Sequence, residues 1–199
     1  MSEFLDVFRP APDDRIVDVG GTALNWNLVA YPGPVVLANI VPKELVGAMP
    51  ANVEYVHADG TNLPFSDGEF SIAFSNSVIE HLHTFEKQQA FASEIRRVAG
   101  RLWVQTPARS FPIEPHYLAP IVHYLPKSWQ RRLIRNFTLY GWIARPSQET
   151  VNELVDECRL LNYHEMTALF PDCEIRRERV LGLTKSYVAL RAAAPPAST

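Results

Sequence analysis

Short apolar runs alternate with longer stretches of helical periodicity through the first half of the chain. Residues 15–19, Arg-Ile-Val-Asp-Val, form the first run and end in Gly20-Gly21-Thr22, a turn signal ahead of a helical stretch from Ala23 to about Val29. A second run, residues 34–39, is bounded by Gly33 and Pro42 and reads as a buried strand. Residues 53–57 and 70–75 alternate as third and fourth strands, with a polar loop at 58–69 between them. Thr84 is placed to cap a helix whose Phe91, Ile95 and Val98 share one face, and Gly100 is expected to end it before a fifth strand at 102–106. Such alternation predicts an α/β fold with a mainly parallel sheet and crossover helices.

Beyond residue 107 the pattern changes. Residues 108–146 are rich in aromatics, Pro and His and read as a helical insertion after strand five. Within it, Trp129, Leu133 and Phe137 stand four apart, with Lys127, Arg131, Arg132 and Arg135 around them. The expectation is an amphipathic surface helix over 126–137, docked by that apolar stripe. Its functional alternative is a lid for an acidic or lipid-linked acceptor, or peripheral contact with an anionic membrane surface. Ser147 then caps a helix carrying Val151, Leu154, Val155 and Cys158, and Asn162 with Glu165 forms a capping-box pattern. Residues 173–180 and 184–191 flank Gly182 and read as an antiparallel hairpin at the sheet edge.

Length and charge narrow the partners. A chain of 199 residues supports one domain, over 1–191, with a flexible tail at 192–199. Its 19 Lys and Arg against 22 Asp and Glu leave a net charge of -3, without the positive field that nucleic-acid binding needs. Cys158 and Cys173 lack metal-ligand spacing, so no metal centre is expected. Residues 1–9 carry Glu3 and Asp6 rather than a basic and then apolar leader, and no apolar run is of membrane-spanning length; a cytoplasmic protein is expected.

The chemistry lies in a series of stations in register: Arg15-Ile-Val-Asp-Val-Gly20, Asn39 after strand two, His57-Ala-Asp-Gly60, and Leu63-Pro-Phe65 with Asp67 and Phe70. It continues through Ser75-Asn-Ser-Val-Ile-Glu-His-Leu82, Glu94-Ile-Arg-Arg-Val98 and Val104-Gln-Thr-Pro107. In this order the chain resembles the class I S-adenosylmethionine methyltransferases, strongly over residues 16–107. The resemblance implies a Rossmann-like, mainly parallel seven-stranded sheet completed by a C-terminal antiparallel hairpin, and S-adenosylmethionine as cofactor. It implies that Asp18 and Gly20 neighbour the methionine part, in a turn completed by Gly21 and Thr22. Asn39 would face the ribose, Asp59 and Gly60 the adenine, and Asn76 with Ser77 the cofactor floor.

Methyl transfer from a sulfonium is an in-line displacement that the protein mainly aligns. For a hydroxyl acceptor, His116 after strand five is the first candidate base and His81 the second; Glu114 could orient His116. The expected acceptor is a small molecule or a lipid- or sugar-type metabolite, methylated at oxygen or nitrogen. The chain departs from the family pattern at Thr22 and Leu24, where glycine usually recurs, and at Asn39, where an acid is usual. Those departures support an alternative, a non-catalytic binding or scaffolding domain of the same fold; an acid restored at position 39 is expected to tighten cofactor binding if the site is merely weakened and to change nothing measurable if the pocket is closed. A nicotinamide-dependent oxidoreductase is disfavoured because the three-glycine dinucleotide fingerprint is missing.

Overall fold

Hydrophobic runs in the first half of the sequence become strands, and those at Ile16–Val19 and Val35–Asn39 are buried on both faces. The structure, a computed structural model, describes residues 1–114 and 119–193. Helix α1 (Ser2–Phe8) precedes β1 (Ile16–Val19), α2 (Ala23–Asn27), β2 (Val35–Asn39), β3 (Val53–His57) and β4 (Phe70–Asn76). Then come α3 (Phe85–Val98), β5 (Ala99–Pro107), a small ribbon of β6 (Ile113–Glu114) and β7 (Ala119–Pro120), and α4 (Lys127–Phe137) with α5 (Leu139–Ala144). The chain continues through α6 (Gln148–Glu157) and α7 (Tyr163–Leu169) to the hairpin β8 (Glu174–Val180) and β9 (Leu183–Arg191). The seven-stranded sheet runs β3-β2-β1-β4-β5-β9-β8; β1 to β5 are parallel, and β9 and β8 complete it antiparallel. This is the Rossmann-like, mainly parallel seven-stranded sheet with a C-terminal antiparallel hairpin that the resemblance implied.

Alternate residues of each strand feed two cores. On one face Val17, Val36, Ala73 and Leu102 meet Phe91 and Ile95 of α3 and Met166 of α7. On the other, Ile16, Leu37, Phe74 and Trp103 meet Phe4 and Phe8 of α1 and Trp26 of α2, with the Phe4 and Phe74 rings 4.8 Å apart. Helix α1 was not read from the sequence; its Phe4 and Phe8 are four apart and both buried.

The local caps follow the sequence reading. The Thr84 hydroxyl accepts from the Lys87 N–H and that of Ser147 from the Thr150 N–H, while Asn162 and Glu165 form a reciprocal capping box. Gly100 does not separate helix from strand. Strand β5 already starts at Ala99, which pairs with Phe70 of β4, and the Arg191 guanidinium bonds the Ala99 and Gly100 carbonyls, so sheet pairing overrides the glycine signal.

A second correction concerns α4. Its buried residues are Gln130 and Ile134, whereas Trp129 and Phe137, expected to dock the helix, are 60% and 70% exposed. Gln130 is drawn inward because its amide donates to the His123 and Leu125 carbonyls. Of the expected tail, residues 194–199 lie outside the described residues.

Candidate functional site

Parallel strands bind ligands beyond their carboxyl ends, and here the ends of β1, β2 and β4 are tied together. The Gly20 N–H donates to the Ala38 carbonyl at 2.7 Å, and the Ser75 hydroxyl donates to the Val19 carbonyl at 2.9 Å. Gly20 has φ +80°, and a Cβ there would stand 2.5 Å from Val78 Cγ1, so the turn requires glycine both for its backbone and for space.

Beneath that turn lies Asp18. Its carboxyl is fully buried, accepts from Trp26 Nε1 at 2.8 Å through Oδ2, and occupies the space a Gly21 side chain would need: a Cβ at Gly21 would be 2.1 Å from Asp18 Oδ2. Asp18 Oδ1 has no hydrogen-bond partner among the described residues, and burial pushes the carboxyl up to about 7. Asp18 and Gly21 therefore sit behind the wall of the adjoining cavity, as a prop under the turn.

Asn39 links this turn to the loop after β2. Its Nδ2 donates to the Gly21 carbonyl at 2.8 Å, while Oδ1 accepts from the Val41 N–H at 2.9 Å. The Tyr55 hydroxyl donates to the carbonyls of Asn39 and Val41 from the neighbouring strand. The amide thus serves as a strut as well as a cavity wall.

The cavity over these ends has a volume of about 440 Å³, within the range of small-ligand sites. Gly20, Thr22, Asn39, Asp59, Gly60, Ser77 and His81 all line it. Asp59 is exposed, and its Oδ1 accepts from the Thr61 N–H and hydroxyl, both at 2.8 Å. Gly60 permits close packing, since a Cβ there would stand 2.9 Å from the Phe91 ring. Lys87, Val78 and Phe91 also line the cavity and were missed by the sequence reading. Lys87 could have been found, because it sits in the first turn of the helix capped by Thr84.

A second cavity, of about 570 Å³, adjoins the first through Ser77. Asn76 lines this one and not the first; with it stand Trp103, Gln105, Phe111, Ile113 and Lys185. Ser77 is held at φ +56° by its N–H to the Gln105 carbonyl at 3.0 Å and by its hydroxyl to Gln105 Oε1 at 3.1 Å. Asn76 and Ser77, expected together on the cofactor floor, are thus divided: Ser77 is shared and Asn76 faces the second space.

Of the two candidate bases, His81 lines the first cavity rather than the second, and His116 lies outside the described residues. Glu80 is fully buried and accepts from the Thr106 hydroxyl at 2.9 Å, joining the loop after β4 to β5. Gln88 of α3 donates to the Ile79 and Arg159 carbonyls, both at 2.9 Å, and holds the same loop from the other side. Among the described residues no His, Cys, Asp and Glu group is placed to hold a metal.

The model of the methyltransferase domain family matches residues 18–101. A ubiquinone/menaquinone biosynthesis C-methyltransferase, UbiE, of Pseudomonas savastanoi is 31% identical over 184 residues, which cover 78% of this chain and 69% of that one. The chain belongs to the class I S-adenosylmethionine-dependent methyltransferases. The UbiE of Vibrio vulnificus is 28% identical, covering 82% of this chain and 71% of its own. Solved folds agree: a methyltransferase from Methanosarcina mazei aligns with TM-score 0.54 at 15% identity over 94% of this chain and 95% of its own. Magnesium protoporphyrin IX methyltransferase from Synechocystis, solved with bound S-adenosylmethionine, also aligns with TM-score 0.54, at 12% identity over 95% of this chain and 75% of its own.

S-adenosylmethionine is the cofactor of this methyltransferase, and the first cavity fits it chemically. The Asp59 carboxylate, in the lining, suits an exocyclic amine, Val78 and Phe91 give apolar walls, and Lys87 offers a cation for a carboxylate. When bound, the cofactor supplies a methyl group activated by its sulfonium. The chain's part is to hold the turn rigid, keep the donor aligned and present an acceptor to it.

Proposed function

We propose that the protein transfers a methyl group from S-adenosylmethionine in the first cavity to a small, largely apolar acceptor with a ring hydroxyl in the second. The observation that carries this reading is the junction at Ser77, the residue common to both cavities, at the carboxyl end of β4. Trp103, Phe111 and Ile113 suit an apolar ring, and Gln105 and Lys185 suit its polar substituents.

The sequence reading favoured oxygen or nitrogen as the acceptor atom, and the relatives' name, C-methyltransferase, supports carbon. A hydroxylated ring reconciles oxygen with carbon. Loss of the hydroxyl proton to a base spreads negative charge over oxygen and the ortho carbon, so either atom can attack the methyl carbon while the sulfur leaves with the bond's electron pair; after attack through carbon, loss of that carbon's ring proton and protonation of the oxygen restore the phenol.

The test is incubation with methyl-labelled S-adenosylmethionine and a panel of phenols, quinols, amines and sugars, read by mass spectrometry and product NMR. Labelled phenol or quinol products are expected, and Ile113→Trp, which fills the second cavity, is expected to raise the acceptor KM about tenfold or more with cofactor Kd unchanged. Labelling confined to amines or sugars, or a KM untouched by Ile113→Trp, overturns the reading.

A further inference from the structure

The outward face of the α4–α5 corner has no part in either cavity. Here Trp129, Phe137, Leu139, Trp142 and Ile143 are between 47% and 72% exposed. Isolated exposed apolar residues need no explanation, but a cluster of aromatics and aliphatics on one corner does. Local structure fixes that corner rather than leaving it loose. The Thr138 hydroxyl donates to the Ile134 carbonyl at 2.6 Å and accepts from the Gly141 N–H at 3.0 Å, and Trp142 Nε1 donates to the Asn136 carbonyl at 2.6 Å. Gly141 lies so close to α4 that a Cβ would stand 2.2 Å from the Ile134 carbonyl oxygen. With the bare face of α5 turned inward, Leu139, Trp142 and Ile143 must point out.

Charge follows the same segment. Residues 127–145 contain Lys127, Arg131, Arg132, Arg135 and Arg145 and no Asp or Glu, in a chain whose net charge is -3. Lys127 and Arg131 are paired across to Asp156 of α6. Arg132, Arg135 and Arg145 have no acidic partner among the described residues. Arg135, Trp142 and Arg145 line one open notch.

We propose that this corner docks on an anionic lipid bilayer, with Phe137, Trp142 and Ile143 entering the interface and Arg132, Arg135 and Arg145 meeting lipid phosphates. Aromatic and aliphatic side chains interleaved with unpaired arginines match the two halves of such a surface: Trp and Phe partition into the headgroup boundary, and guanidinium groups bind phosphate through paired N–H donors. A second copy of this chain is disfavoured by charge, because a symmetric contact would bring the same unpaired arginines together.

The full chain is to be sedimented with phosphatidylcholine vesicles, with and without about 30 mol% phosphatidylglycerol, while Trp fluorescence is recorded. Binding and a blue shift are expected only with the anionic lipid, weakening as salt is raised. The double variant Arg135→Glu/Arg145→Glu and, separately, Phe137→Ser are each expected to lose about tenfold or more in vesicle partitioning while keeping thermal midpoint and S-adenosylmethionine affinity. Equal binding of wild type and both variants overturns the proposal. So does absence of vesicle binding, or a concentration-dependent dimer that Phe137→Ser abolishes.

Discussion

The side chain of Asn39 donates to the Gly21 carbonyl at 2.8 Å while its oxygen is held by the Val41 N–H at 2.9 Å. An acid at this position keeps the second bond and turns the first into a contact between two acceptors. The expectation drawn from family pattern alone, that Asn39→Asp tightens cofactor binding, is therefore reversed in sign. Asn39→Asp is predicted to cost about 1–3 kcal/mol of stability and to weaken S-adenosylmethionine binding, as read by thermal melting and calorimetric titration. Tighter binding with an unchanged melting temperature would show that the strut does not matter.

Asp18 sets a pH dependence. Its folded carboxyl titrates near 7, above the ordinary value of 3.8, because burial opposes ionisation. Between those values the unfolded chain releases a proton that the native protein keeps, so stability falls as pH rises through this window and levels off above it. The loss is about 4 kcal/mol at most. Asp18→Asn is predicted to flatten the slope of unfolding free energy between about pH 4 and 7, measured by denaturant titration at several pH values; an identical slope in the variant would sink the assignment.

Gly21 and Asp18 compete for one space. Gly21→Ala places a methyl group where the carboxyl lies, and is predicted to destabilise by about 1–3 kcal/mol. Asp18→Ala vacates that space, so the double variant Gly21→Ala/Asp18→Ala is expected to recover part of the loss. A double-mutant cycle reads this directly, and strictly additive effects would contradict the packing.

β1 and β2 were legible in the sequence because they are central and buried on both faces, which makes them apolar runs, while β4 was legible from the alternation of residues 70–75. Caps such as Ser147 and Asn162 were legible because their partners are three residues away. Other features depend on distant partners. Gly100 continues a strand because β4 pairs with Ala99 and Arg101 on either side of it, and Asn39 acts on a carbonyl 18 positions earlier. Asp18 turned out to lie under the turn because Trp26, eight residues on, holds its carboxyl inward. Helical spacing identified Trp129 and Phe137 as sharing a face without saying which way it points; the hydrogen bonds of Gln130 decide that.

The most direct measurement is a calorimetric titration of the protein and of Asp59→Ala with S-adenosylmethionine and S-adenosylhomocysteine. Saturable one-to-one binding of both ligands, weakened about tenfold or more when Asp59 is removed, is the predicted result. No detectable binding at millimolar ligand, or binding indifferent to Asp59, would contradict the placement of the cofactor in the cavity above β1 and β2.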